Sequence, residues 1–281
     1  MRPARHRPPK LEPRAAPASQ AAPPPTLEAL LEQAKIAGAG SGPGSTELRH
    51  TVERLVAGDR RALGDLEPMA GLTHIHVWEA LTGAFGATAD APVIDPSRTI
   101  AATHCAVGRV LDVGARGGQI AIATAHPASL LILDLAFARF AGATGAEVVD
   151  LADFGPIRAD GRTQRWLRWV GGVAVVSDGQ ALCDTQDGEV AREWMFAIPR
   201  PALVIADGPF AEVAWESGVE VVAFAGLDRP GLALAAAIGG RCSLVPMRTD
   251  RPARSYRVLE ELIALPEVDF DPLELPPRPE M

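Results

Sequence analysis

From Gln119 onward the chain alternates short apolar, β-branched runs with longer stretches of helical periodicity. The candidate strands are Ile120–Ala123, Glu147–Leu151, Gly172–Val176, Leu203–Ala206, Val219–Phe224 and Cys242–Pro246. Among them the spacing predicts helices over Ser129–Gly142, Glu189–Phe196, Phe210–Ser217, Gly231–Gly239 and Ser255–Leu265. Runs that are apolar on both faces have no side to turn to water, so the sheet must be covered above and below. Alternation with helices supplies the crossovers that parallel strands need. The expected fold class is therefore α/β: a three-layer, Rossmann-like arrangement with a largely parallel sheet and a helical N-terminal cap.

The cap is read from four earlier segments. Thr26–Ile36, a segment capped by Ser45, Thr73–Phe85 and Pro96–Gly114 all show helical spacing. On the last of these the expected stripe is Ile100, His104, Val107, Val110 and Leu111. We expect a single α/β domain over residues 26–265, with 26–95 as its helical part and 96–265 as its α/β core. Residues 1–25 are rich in Pro and Ala and carry Arg2, Arg5, Arg7, Lys10 and Arg14 against Glu12. They read as a basic disordered tail, and the acidic, proline-rich residues 266–281 as a second loose end. The formal net charge of −8 argues against a protein that works by neutralising nucleic-acid phosphates. Nothing approaches a membrane span. Three widely spaced cysteines, Cys105, Cys183 and Cys242, fit a reducing cytoplasm.

Parallel strands place their C-terminal ends on one edge of a sheet, and ligands bind there. The junctions to read are Thr124–Ser129, Asp150–Asp153, Ser177–Asp187, Asp207–Phe210, Ala225–Pro230 and Met247–Asp250. The glycine-rich pieces Gly38–Gly44 and Gly114–Gly118 lack the strand–loop–helix context of a phosphate loop and read as linkers. His74 and His76 would share a metal only on a strand, whereas the residues after them suit a helix. Trp166–Val176 reads as aromatic packing around a bent strand, from which Arg165 or Arg168 could reach an anion. Asp184, Asp187, Asp207 and Asp228 each precede a predicted helix. Each can cap it, hold a hard cation or orient water.

Six stretches in order resemble a family of bacterial phosphatases from high-GC genomes. They are "IDPSRTIAA" (Ile94–Ala102), "ATAHPASLL" (Ala123–Leu131), "LRWVGGVAVV" (Leu167–Val176), "LVIADG" (Leu203–Gly208), "DRPGLAL" (Asp228–Leu234) and "LVPMRTDRPARSYRVL" (Leu244–Leu259). The resemblance implies a hydrolase acting on a small phosphorylated metabolite. It implies His126 as acid/base or phosphate contact, Asp207 as a second catalytic residue that positions water, and Thr124, Ser129 and Arg168 as substrate contacts. Asp184 and Asp207 would hold a divalent metal, Mg²⁺ or Mn²⁺. The chain departs from the family pattern at several points. The family's Gly-His-Pro is Ala125-His126-Pro127, its His-Thr-His-Ser-Pro is Asp184-Thr185-Gln186-Asp187-Gly188, and its Asp-His-Gly is Asp207-Gly208-Pro209. Near Asp228 its Asn-Asp-Pro is Asp228-Arg229-Pro230. The alternative expectation is a pseudo-phosphatase that keeps the fold and binds a ligand or partner without turnover.

Overall fold

The structure, a computed structural model, describes residues 24–159 and 163–264. The tails expected at the two ends fall outside these residues, apart from positions 24 and 25. In chain order the helices are α1 (Leu27–Gln33), α2 (Ser45–Val56), α3 (Arg60–Leu63), α4 (His74–Phe85), α5 (Pro96–Gly114), α6 (Pro127–Ala143), α7 (Gly188–Ala197), α8 (Gly208–Glu216), α9 (Pro230–Gly239) and α10 (Arg257–Ala264). The strands are β1 (Gln119–Thr124), β2 (Glu147–Val148), β3 (Phe154–Ala159), β4 (Thr163–Val170), β5 (Val173–Ser177), β6 (Leu203–Asp207), β7 (Val221–Ala225) and β8 (Cys242–Pro246).

The described strands form one sheet in the order β3-β4-β5-β1-β6-β7-β8, with β2 beside the start of β1. Strands β5, β1, β6, β7 and β8 run parallel. Every residue of β5, β6 and β7 is buried, as their unbroken apolar runs demand. Ile120 and Ile122 of β1 face one core together with residues of α2, α4, α5, α6 and α10. Ala121 and Ala123 face the other, which α7 and α8 close. The alternation of faces along a strand thus divides the interior into two apolar layers around a mostly parallel sheet. The three-layer α/β reading holds. None of the described helices is long and apolar enough to cross a membrane.

Three local expectations are corrected. The strand expected over Glu147–Leu151 keeps only Glu147 and Val148. The bent strand expected around Trp166–Val176 is a hairpin, because Gly171 and Gly172 both adopt positive φ, 59° and 84°. Two successive left-handed residues make the tight turn that reverses a strand. β4 therefore runs antiparallel to β5 and carries β3 with it, ending the parallel sheet on that side. On α5 the buried face is Thr99, Thr103, Ala106, Val110 and Val113, one step from the stripe read off the larger apolar residues. Small side chains win because α5 lies close to β8: the Thr99 hydroxyl donates to the Pro246 carbonyl at 2.6 Å. Leu111 is left 46% exposed.

The contact between α7 and α8 turns on Trp194 and Phe210. Both are buried, and their rings meet edge to face at 5.2 Å. Trp194→Ala should lower the unfolding free energy by about 3–5 kcal/mol in a urea titration. A loss below about 1 kcal/mol would show that this pair is not part of the cooperative core.

Candidate functional site

The crossovers on either side of the β1–β6 pair leave in opposite directions. The chain passes from β1 through α6 toward β5, and from β6 through α8 to β7. Such a switch point is where open α/β sheets bind ligands. His126 follows β1 there, and Asp207 ends β6.

The two residues are joined directly. The Asp207 carboxylate accepts the Ala125 N–H at 2.8 Å through Oδ1 and bonds the His126 ring at Nδ1 through Oδ2. Asp207 stands at the N-cap position of α8 yet makes no capping bond to it. Its sequence position allowed a cap, and its side chain instead reaches across to β1. An acceptor on Nδ1 fixes the neutral imidazole with its proton there and its lone pair on Nε2. Nε2 lies 3.1 Å from Nε2 of Gln186. A neutral ring accepts from that amide, and a protonated ring requires the amide to turn its oxygen inward. The Thr185 N–H donates to the Ala125 carbonyl at 2.9 Å and anchors the loop that carries Gln186.

Burial works against a charge on His126, but the Asp207 hydrogen bond and charge, reinforced by Asp184, outweigh it. The imidazole pKa is raised above 6.5, with Arg229 opposing. Asp207 is 1% exposed. When the ring is protonated the two form an ion pair held largely out of water, where its field is weakly screened.

Arg229 is the principal group that sequence reading passed over. It occupies the same place before α9 that His126 occupies before α6. Each precedes a proline, and their backbones match: φ −125°, ψ 63° for His126 and φ −122°, ψ 59° for Arg229. A residue before proline is disfavoured from the helical region, which accounts for the shared backbone, and both side chains are mostly buried, 15% and 17% exposed. Arg229 Nη1 donates to Glu212 Oε1 at 2.8 Å, and Glu212 Oε2 accepts the Asp65 N–H at 2.9 Å. Burial opposes the Arg229 charge, but Glu212, Asp228 and Asp207 more than offset it. One of five guanidinium N–H groups is used on Glu212.

The remaining expected residues are placed as follows. Thr124 is fully buried, and its hydroxyl accepts the His126 N–H at 3.0 Å, so it faces inward. Ser129 is partly buried in the first turn of α6, and its N–H donates to the His126 carbonyl at 3.0 Å. Arg168 is held by Asp153 at 2.8 Å on the antiparallel side of the sheet. Asp184 is exposed, close enough to His126 to raise its pKa. Asp187 caps α7 through the Glu189 N–H. His74 and His76 lie in α4, whose N-cap Thr73 accepts the His76 N–H, so they do not form a strand pair. A cavity of about 850 Å³ opens elsewhere, bounded by His76, Ala84, Ala102, Cys105, Ala237 and Leu244. None of the junction residues lines it.

For a divalent ion the donors are a poor fit. Both Asp207 oxygens already have partners. No group of three or more His, Cys, Asp or Glu among the described residues could hold a metal ion.

A model of the Phosphatase family matches residues 24–265. The chain belongs to the Phosphatase family. A phosphatase of Streptomyces coelicolor is 31% identical over 159 residues, which is 55% of this chain and 59% of that protein's length. No solved structure gives a significant match. In this phosphatase-family chain Ala125 and Gly208 face each other across the junction. Gly208 has φ +54°, and a Cβ there would lie 3.0 Å from the Ala125 Cβ.

The His126 ring should titrate above 6.5 when followed by NMR, and in Asp207→Asn it should fall below that value because burial then dominates. The raised folded pKa means that the pair's stabilisation is complete below 6.5 and is lost as pH rises through the folded value. Urea titrations of wild type and Asp207→Asn should accordingly converge toward high pH. Parallel curves would disprove the linkage.

Proposed function

We propose that this phosphatase-family protein hydrolyses the phosphate monoester of a small molecule at the β1–β6 junction. The observation that carries the reading is the buried Asp207–His126 pair with Arg229 beside it at the sheet's switch point. The start of α6, α8 and α9 at adjacent strand ends adds three helix N-termini, which favour an anion.

The chemistry follows from the geometry. The Arg229 guanidinium, kept charged by Glu212, would bind the phosphate oxygens and stabilise charge on the transferring phosphoryl group. Water attacks phosphorus, and the bond from phosphorus to the ester oxygen breaks. The leaving oxygen takes the proton from His126 Nε2, giving the free alcohol. The proton released by the attacking water restores the imidazolium, so inorganic phosphate leaves and the residues are unchanged. Asp207 orients the ring and stabilises its charge throughout, and Gln186 sets the position of Nε2. No step here uses a metal ion.

Phosphate release from p-nitrophenyl phosphate and from a panel of small phosphate monoesters tests the reading. His126→Ala should lower kcat by roughly 10²–10⁴-fold. Arg229→Lys keeps the charge beside Glu212 but loses the planar fork, and should raise KM by roughly tenfold. Turnover that survives His126→Ala would overturn the assignment. Absence of turnover in the wild type with or without Mg²⁺ and Mn²⁺ would favour the binding-only alternative, which the residues at Asp184, Gln186 and Gly208 motivate. Ion-dependent turnover abolished by Asp184→Asn would establish the divalent-ion role expected of Asp184 and Asp207.

A further inference from the structure

The turn after α3 reaches both sides of the junction. Gly64 has φ +69°, and a Cβ there would lie 2.4 Å from Glu212 Oε2. Only a residue without a side chain lets the backbone pass so close to that carboxylate. The next residue, Asp65, donates its N–H to the same oxygen at 2.9 Å. The other Glu212 oxygen accepts from Arg229 Nη1 at 2.8 Å. Glu212 is buried, so both of its bonds are made away from water.

The Asp65 carboxylate turns the other way, toward α7. Its Oδ1 accepts from Arg192 Nη1 at 3.0 Å. The same oxygen lies against Gly188, the first residue of α7, where a Cβ would come within 1.7 Å of it. The Arg192 side chain is more than half exposed, so the ion pair alone adds little. The Asp65 side chain is 18% exposed, far more buried than a surface pair requires.

Gly188 closes the loop that carries Gln186. One end of that loop is held by the Thr185 N–H, which donates to the Ala125 carbonyl at 2.9 Å. Inside it, the Thr185 hydroxyl accepts the Asp187 N–H at 3.1 Å. The other end is held where Gly188 meets Asp65. Gln186 stands between these two anchors, with its amide 3.1 Å from His126 Nε2.

We propose that Asp65 is a positioning residue that ties the two flanks of the junction together. Through its N–H it holds Glu212, and so Arg229. Through its carboxylate it holds the start of α7, and so Gln186. One residue of the helical N-terminal region thereby sets the phosphate-binding cation relative to the amide that faces the His126 ring. The catalytic meaning of this tie rests on the proposed reading of Arg229 and His126, but the tie itself can be tested without turnover.

Two side-chain NMR signals report the flanks: the Gln186 amide and the Arg229 Nε–H. In Asp65→Ala the Gln186 signal should move, and Asp65→Asn, which keeps an acceptor of the same shape, should restore it. In Gly64→Ala the new Cβ displaces Glu212, and the Arg229 signal should move. A Gln186 signal unchanged in Asp65→Ala overturns the proposal. An equal movement in Arg192→Ala also overturns it, since a surface ion pair is then sufficient. So does an Arg229 signal unchanged in Gly64→Ala. Should Gly64→Ala fail to fold, hydrogen exchange at the Asp65 amide of the wild type decides that flank. Protection is expected, and exchange at the rate of a free loop amide overturns the proposal. On p-nitrophenyl phosphate the variants should separate. Gly64→Ala should raise KM roughly tenfold through Arg229, and Asp65→Ala should lower kcat roughly tenfold through Gln186. The same change in both parameters from both variants overturns the division into two flanks. A wild type without turnover defeats the catalytic reading alone, because the two signals still decide the tie.

Discussion

The Asp207 carboxylate joins the two central strands of this protein at the edge where chemistry can occur. One oxygen takes the Ala125 N–H and the other takes the His126 ring, so a single side chain at the end of β6 fixes both the backbone and the side chain that follow β1. Around it the other requirements fall into order. Gly208 must be glycine because its φ is left-handed and Ala125 is already against it. α8 starts without a side-chain cap because the residue that would supply one is engaged across the sheet.

The charges at this edge are arranged so that each is offset close by. His126 is balanced by Asp207, and Arg229 by Glu212, in pairs that lie largely out of water. Buried pairs of this kind contribute little net stability, because desolvation consumes most of their attraction. Their value is geometric, since the groups are held at one separation and orientation before any ligand arrives. The Glu212 carboxylate also takes the Asp65 N–H, which ties the loop after α3 to the same structure. The helical N-terminal region is thereby coupled to the junction.

Much of this was legible in the sequence. The unbroken apolar runs specified buried strands, and Pro127 and Pro230 specified where helices could begin. His126 and Asp207 stood out as chemistry at strand ends. The antiparallel side of the sheet was not found, because β3 and β4 are partly exposed and lack the apolar run that marked the others. The Gly171-Gly172 pair was the available signal, since two glycines in succession suit a reversing turn as well as a bend. Arg229 was missed for a different reason. A surface-spaced arginine before a proline looks solvated in sequence, and only Glu212, on the neighbouring helix, makes it a buried cation.

By itself the sequence determined the layer architecture, the sheet edge that carries the junctions and the residue types available there. These follow from periodicity and local backbone restriction, which act over a few residues. Tertiary structure alone decided which of the available groups meet. Whether Asp207 caps its own helix or reaches His126, whether Thr124 faces a ligand or the core, and whether Arg168 or Arg229 is the cation at the site all depend on strand order and register. Those bring together positions about eighty residues apart, a separation over which no local pattern carries information.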